Sequence, residues 1–238
     1  MPLEKRTCPI EIKVFPRGHG WTDISWFVPE KMSEPLMLKA SYIADNIGDF
    51  ARALYFLCPN QYAADSAYDI IEEVTFEYDL KTLKRGKMYK LGDKRPSTTY
   101  VNFPVKAGFR WDEEPEGSNW TLTRAPSLDP NADIDFIVHV HMELNRDMGD
   151  ITLQVFDYDF HYHDLCYAVG RALTEVIKDY GLHGYFNSTR DRLDVVHLIF
   201  LKAVALNLDD AYDLIYKGND DGFSSDFSAE MELLLFDM

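Results

Sequence analysis

The sequence feature that most constrains the fold is residues 134–181, which predict two strands, the turn between them and a long helix. Apolar and polar residues alternate over residues 134–144, the period-two pattern of a strand with one buried face. Residues 145–150 contain turn formers, including a glycine, and the alternation resumes over residues 151–156. This stretch therefore predicts a β-hairpin with one apolar face.

The apolar face also predicts how the two strands pair. Placing Leu144 opposite Ile151 makes the face continuous across the hairpin. In this register His141 lies opposite Gln154, on the polar face.

A helical pattern begins after the second strand. Beyond Tyr162 the apolar residues recur at spacings of three and four and form one stripe: Leu165, Val169, Leu173, Val176, Ile177 and Tyr180. Gly181 is predicted to end this helix as a left-handed C-cap, and residues 183–188 are predicted to form a loop. A helix with one apolar stripe after a hairpin with one apolar face is expected to pack on that face.

The rest of the chain adds shorter elements of both kinds. Period-two segments predict further strands at residues 10–15, 21–28, 73–80, 100–105, 109–112 and 120–124. Apolar stripes at helical spacing predict helices at residues 40–57, 189–206, 208–217 and 227–236. Residues 29–35 are expected to be a linker, and the basic residues 81–97 an exposed loop. The whole pattern predicts an α+β fold: one domain over residues 1–238, with an antiparallel sheet of about five to seven strands and helices packed mainly on one face.

Charge and composition exclude several classes of function. Hydrophobic residues make up 46% of the 238-residue chain, enough for a full core, and 40 acidic residues against 24 basic ones give a net charge of -16. This charge repels nucleic-acid phosphates and anionic membranes, and it favours a basic protein partner. The sequence has no apolar run of about eighteen residues and no apolar segment after its first six residues, which predicts a cytoplasmic location. Three widely spaced cysteines predict neither a disulfide framework nor a zinc knuckle.

Two groups of possible metal ligands lie on the predicted hairpin. His139 and His141 share one strand face, and Asp157 and His161 belong to the second strand and its end. With a bound water as nucleophile, these four residues define an alternative hypothesis, a metal-dependent hydrolase. In the expected register, however, Asp157 lies opposite Val138, so the two groups do not obviously converge. No known ligand spacing is matched, and the sequence therefore predicts no metal and no cofactor.

Motifs of nucleophilic catalysis are missing from the sequence. It contains no Gly-x-Ser-x-Gly, no P-loop and no dinucleotide-binding glycine pattern. Cys166 follows His163 by three residues, so the two could meet on a helix, but the apolar context favours packing of Cys166 in the first turn. No catalytic residue is predicted.

The acidic residues suit recognition of another protein. Trp111 precedes three consecutive carboxylates in a predicted hairpin tip, and rigid aromatic area beside negative charge can dock a basic partner. The alternative is that the aromatic residues belong to the core beside a solvated acidic loop. On the first interpretation the partner-binding residues are Trp111, Asp112, Glu113, Glu114, Asp157 and Asp159.

The order of these elements resembles a known family. The residues that carry the resemblance are the helix at residues 40–57, the Arg-Trp-Asp-Glu-Glu-Pro segment at residues 110–115 with Trp-Thr-Leu at 120–122, the strand pair at 134–156 and the Asp-Tyr-Gly-Leu-His-Gly-Tyr segment at 179–185. In this order they resemble bacterial immunity proteins of polymorphic toxin systems. The resemblance implies a cytosolic, acidic α+β protein that blocks a toxin from a neighbouring cell by direct stoichiometric binding.

Overall fold

The structure is a computed structural model that describes residues 7–41, 46–57, 77–79, 84–85, 106–112, 117–124, 136–146, 151–189, 195–206 and 227–238. The protein is α+β, as predicted. It divides into two compact units, one formed by Met1–Ala51 with His163–Met238 and the other by Arg52–Tyr162. The interpretation of the chain as one domain stays a prediction.

A three-stranded antiparallel sheet forms the N-terminal part of the first unit. Its strands are β1 (Glu11–Gly18), β2 (Trp21–Phe27) and β3 (Leu36–Ala40), in the order β1-β2-β3. The first two confirm the predicted strands, and their tight turn is possible because Gly18 and Gly20 take positive φ. The third strand was not predicted, because the apolar Met37 lies on its exposed face and interrupts the alternation of apolar and polar residues.

Helix α1 (Asn46–Leu57) follows this sheet. Its residue Phe50 is fully buried and packs against Trp26 of β2, with the ring centroids 4.8 Å apart. The boundary between the two units falls inside this helix, after Ala51. The helix begins later than the sequence predicted, because residues 36–40 are recruited to the sheet.

Helix α2 (Tyr162–Thr189) confirms the predicted long helix but corrects the prediction for its end. Gly181 breaks the helix with φ 69° and ψ 164°, a conformation open to glycine, and helical turns then resume. The predicted loop at residues 183–188 is therefore wrong. Tyr185, in the turns beyond the break, is almost fully buried.

Helices α3 (Val195–Ala205) and α4 (Phe227–Leu235) pack together in the first unit. Ile199 and Ala203 of α3 meet Leu233 of α4 in a small apolar cluster. Val196 near the start of α3 is exposed, whereas the helix from His197 onward is buried on all sides. The predicted helix at residues 208–217 lies outside the described residues.

A six-stranded sheet lies in the second unit, so the predicted single sheet is corrected to two sheets. Its strands are β4 (Glu77–Asp79), β5 (Lys84–Arg85), β6 (Lys106–Asp112), β7 (Gly117–Arg124), β8 (Ile137–Arg146) and β9 (Ile151–His161). Their order is β5-β4-β6-β7-β8-β9. The four long strands β6 to β9 form an antiparallel meander, whereas β4 runs parallel to β6.

The outcomes of the remaining sequence predictions differ. The predicted strands at residues 109–112 and 120–124 are confirmed within β6 and β7. Strand β5 lies in the basic segment that was predicted to be a loop. The predicted strand at residues 100–105 lies outside the described residues, and the placement of the helices on one face stays a prediction.

One face of the long strands is an aromatic layer. Trp111 of β6, Trp120 of β7 and Phe156 of β9 are fully or almost fully buried. The ring centroid of Trp120 lies 5.1 Å from that of Trp111 and 5.8 Å from that of Phe156. This layer holds the strands together from one side and leaves their opposite face outward. No helix in the described part of the chain is both long and apolar enough to cross a membrane.

Candidate functional site

The outward face of β8 and β9 carries a cluster of charged and histidine side chains. On β8 the residues Val138, Val140 and Met142 are fully buried, so the intervening residues His139 and His141 point to the other face. The candidate site is built on these two histidines.

The pairing of β8 with β9 differs from the expected register. His139 pairs with Asp159 and His141 pairs with Asp157, whereas the sequence placed Gln154 opposite His141. The pair nearest the turn joins Arg146 to Ile151. The expected register is therefore wrong.

Two features of the hairpin cause this change. Four residues lie between the end of β8 and the start of β9, two fewer than the six that the sequence predicted, which moves the pairing by two residues. A β-bulge at Met142 and Glu143 then moves it by one more, because Met142 pairs with Phe156 and Glu143 with Gln154. The two changes together shift the pairing by three residues. Because side chains alternate between the two faces of a strand, an odd shift brings Asp157 and Asp159 to the face that holds the histidines. The expectation that the two groups do not converge is thereby corrected.

Asp157 lies between the two imidazoles. One of its carboxylate oxygens, Oδ1, is 2.8 Å from Nε2 of His139 and 3.5 Å from Nδ1 of His141. The two rings are nearly parallel, at 18°, with their centroids 6.5 Å apart. Both histidines thus direct one nitrogen toward the same carboxylate.

The second nitrogen of each ring faces a different carboxylate. Nδ1 of His139 is 2.9 Å from Oδ1 of Asp159, and Nε2 of His141 is 3.3 Å from Oε1 of Glu143. The cluster, which we call the His139–Asp159 cluster, consists of His139, His141, Glu143, Asp157 and Asp159.

The side chains of this cluster are open to solvent. The exposed fraction is 47% for His139, 27% for His141, 39% for Asp157 and 67% for Asp159. An ion or a partner side chain can therefore reach all four without a change in the backbone.

His161, the fourth residue of the hydrolase hypothesis, stands apart from the cluster. It ends β9, is exposed and pairs with Ile137. Among the described residues, the ligand atoms that lie within 4.8 Å of one another are those of His139, His141 and Asp157. The structure thus brings together three of the four residues of that hypothesis.

The predicted hairpin tip between β6 and β7 has a different outcome. Trp111 is fully buried and packs against Phe109 and Trp120, so its indole is a core residue and does not lie on an exposed surface. This corrects the inclusion of Trp111 among the partner-binding residues. The sequence did contain a signal for burial of Trp111. This residue lies two positions from the apolar Phe109 in an alternating strand, so the two side chains share a face.

The acidic residues of the same tip are only partly described. Asp112 ends β6, where it pairs with Gly117. Glu113 and Glu114 lie outside the described residues. Their role as partner-binding residues stays a prediction.

Cys166 and His163 both lie in the first turns of α2 and are buried. The thiol of Cys166 is not part of a disulfide. Burial agrees with the packing role that the sequence favours for Cys166.

Comparisons with protein-family models, with curated proteins and with solved structures find no match to this chain.

Proposed function

We propose that the protein is a non-catalytic acidic binding protein that neutralises a basic partner by direct one-to-one binding. The partner would be a cognate toxin, and the protein a cytoplasmic immunity protein of a bacterial polymorphic toxin system. The observation that carries the proposal is the outward face of β8 and β9, where Glu143, Asp157 and Asp159 lie in solvent.

The arrangement of the carboxylates supports binding of a protein surface. Asp157 and Asp159 alternate on one strand, and Glu143 lies on the neighbouring strand of the same sheet. Their backbone positions are fixed by the ladder of the sheet and by the buried residues beneath, such as Met142 and Phe156. A preorganised set of charges loses less conformational entropy on binding than charges on a loose loop.

The charge of the whole chain supports the same proposal. A net charge of -16 attracts a basic protein over a long distance and speeds its association by roughly ten to a thousandfold at low salt. Added salt screens this attraction over a Debye length of about 10 Å at 0.1 M. The association rate should therefore fall steeply with salt while the dissociation rate changes less.

The test uses the secreted toxin domain encoded by the neighbouring reading frame as the partner. Binding is measured by surface plasmon resonance at several salt concentrations, for the wild type and for the triple variant E143Q, D157N, D159N. The expected result is a one-to-one complex whose association rate falls at least about tenfold in the triple variant.

A matched control removes the same number of charges elsewhere. The variant E175Q, D179N, E232Q neutralises three exposed acidic residues on helices α2 and α4. It should lose much less of the association rate than the strand variant. An equal loss of association rate in both variants would show only an effect of net charge and would contradict the assignment of the site. Failure of the toxin domain to bind the wild type would contradict the immunity function.

Metal-dependent hydrolysis is the second candidate function. The convergence of His139, His141 and Asp157 within 4.8 Å supports it, since two imidazoles and a carboxylate leave room for a metal-bound water as nucleophile. The test is hydrolysis of p-nitrophenyl phosphate and p-nitrophenyl acetate with added Zn²⁺ or Mn²⁺. Turnover that disappears in H139A would support this candidate, and absence of turnover would exclude it for these two ester classes.

A further inference from the structure

We propose that the His139–Asp159 cluster binds one divalent transition-metal ion, Zn²⁺ or an ion of similar preference. The ligands are Nε2 of His139, Nδ1 of His141 and the carboxylate of Asp157, and water completes the coordination shell. The proposal requires neither a partner nor a turnover, although it shares Glu143, Asp157 and Asp159 with the proposed binding surface.

The first argument is the donor set and its spacing. Imidazole nitrogen and carboxylate oxygen are the ligands that zinc takes at about 2.0–2.2 Å, which separates the ligand atoms of a tetrahedral site by about 3.4 Å. Nδ1 of His141 and Oδ1 of Asp157 are already 3.5 Å apart. Nε2 of His139 is 2.8 Å from the same oxygen, so this pair would open by about half an ångström around an ion.

The second argument is the pair of outer carboxylates. A histidine that binds a metal commonly donates its other N–H to a carboxylate, which fixes the tautomer and orients the ring. Asp159 holds this position for His139, at 2.9 Å from Nδ1, and Glu143 holds it for His141, at 3.3 Å from Nε2. In the tautomers that donate to these outer carboxylates, each ring presents its unprotonated nitrogen to Asp157.

The third argument concerns the short contact between His139 and Asp157. A neutral imidazole carries one N–H, and a carboxylate only accepts hydrogen bonds. If Nδ1 of His139 donates to Asp159, its Nε2 faces the oxygen of Asp157 at 2.8 Å with two lone pairs opposed. A metal ion between these two atoms removes the repulsion.

The surroundings of the three ligands also fit a metal ion. His141 directs a second imidazole nitrogen to the same carboxylate oxygen, so that one ion can contact all three groups. The three nearby carboxylates, Glu143, Asp157 and Asp159, attract a dication more strongly than a monovalent charge. Solvent exposure of the cluster supplies the water ligands.

The experiment measures binding of Zn²⁺ and Co²⁺ to the full chain after treatment with a chelator. Isothermal titration with Zn²⁺ should give one site per chain, and Co²⁺ should give the visible d–d absorption of a low-coordinate nitrogen and oxygen site. H139A, H141A and D157N should each weaken Zn²⁺ binding at least about a hundredfold. D159N, which alters an outer carboxylate, should weaken it by roughly 10–100-fold and keep the stoichiometry.

The matched controls are other histidines of the chain. H161A changes an exposed histidine on the same strand, just beyond Asp159, and H183A changes an exposed histidine on helix α2. Both should bind Zn²⁺ as the wild type does. Circular dichroism of each variant checks that the fold is retained, which is expected because the altered side chains lie on the outward face.

Three results would overturn the proposal. The first is no saturable Zn²⁺ or Co²⁺ binding to the wild type. The second is binding that survives in H139A and H141A, and the third is an equal loss in H161A. None of these results bears on partner binding, so failure of the metal site and failure of the proposed function are distinguishable.

Discussion

Lys202 shows at the scale of one residue how a charged group is accommodated in a core. It lies on α3, the most apolar helix of the described chain, and it is fully buried. Its Nζ donates hydrogen bonds to the carbonyl oxygens of Leu234, at 2.9 Å, and Phe236, at 2.8 Å. These carbonyls lie at the C-terminal end of helix α4 and one residue beyond it, where a helix leaves its last acceptors without partners and favours positive charge. The lysine therefore caps a helix that is distant in sequence.

Burial also changes the proton affinity of Lys202. Desolvation lowers the pKa of this amine from 10.5 to about 8, against the opposing attraction of Asp237. Between these two values the folded protein holds a neutral amine while the unfolded chain holds an ammonium. The unfolded state then binds more protons, so the contribution of Lys202 to stability rises as the pH increases from about 8 to 10.5.

The prediction for Lys202 compares the wild type with K202M. Methionine fills a similar volume but leaves two helix-end carbonyls without a donor, so we expect K202M to be about 1–3 kcal/mol less stable at pH 7. Above pH 8 the free energy of unfolding of the wild type should rise relative to that of K202M, by up to about 3 kcal/mol. The hydrogen bonds to the two carbonyls can persist in this range, because a neutral amine still has two N–H donors. Urea denaturation of both proteins between pH 7 and pH 10 measures the difference. Parallel curves would show that Lys202 does not change its protonation in this range.

Helix α2 shows at the scale of one element why its break falls at Gly181. With φ 69° and ψ 164°, Gly181 occupies a region that a side chain makes strained. Among the described residues, no heavy atom outside the neighbouring helix backbone lies within 4 Å of the position that a Cβ would take, so the restriction comes from the backbone conformation and not from crowding. The break is therefore encoded by the glycine itself.

The prediction for this element compares two glycines of α2. G181A should destabilise the protein by about 1–3 kcal/mol, because alanine must adopt the strained conformation or straighten the helix. G184A should instead be neutral or stabilise by up to about 1 kcal/mol, since its Cβ would make an ordinary contact with Cβ of Tyr180 at 3.5 Å. Thermal unfolding followed by circular dichroism ranks the three proteins. Equal effects of the two substitutions would contradict the proposed origin of the break.

At the scale of the whole molecule, the chain has two compact units that share a helix. The boundary after Ala51 cuts α1 near its middle, and the other boundary falls at the first residue of α2, Tyr162. Because helix formation is cooperative, loss of one unit would also remove turns that belong to the other. We therefore expect one unfolding transition.

The four tryptophans allow this expectation to be measured. Trp21 and Trp26 lie in the first unit, and Trp111 and Trp120 lie in the second. The double variant W21F, W26F leaves tryptophan fluorescence that reports on the second unit, and W111F, W120F leaves fluorescence that reports on the first. In each variant the fluorescence midpoint in urea should coincide with that of circular dichroism. Separate midpoints in either variant would contradict a single domain.

The hairpin of β8 and β9 shows what the sequence determined by itself. Alternation of buried and exposed residues is a local property, so the sequence alone predicts both strands and the helix after them. The same local pattern places His139 and His141 together on the polar face of β8. Net charge and the α+β class are likewise properties of the sequence alone.

Only the tertiary structure decided which side chains meet. Whether Asp157 faces His141 depends on the length of the turn and on the bulge at Met142 and Glu143, because a shift of one residue exchanges the two faces of a strand. Lys202 gains its partners from a helix end 32 and 34 residues away, which no local pattern on α3 records. Trp111 beside a run of acids is compatible with a surface or a core, and the neighbouring strand settles the matter by packing Trp120 against it. Sequence periodicity predicts most of the elements, whereas pairing between distant segments decides which faces of neighbouring strands meet and so forms the site.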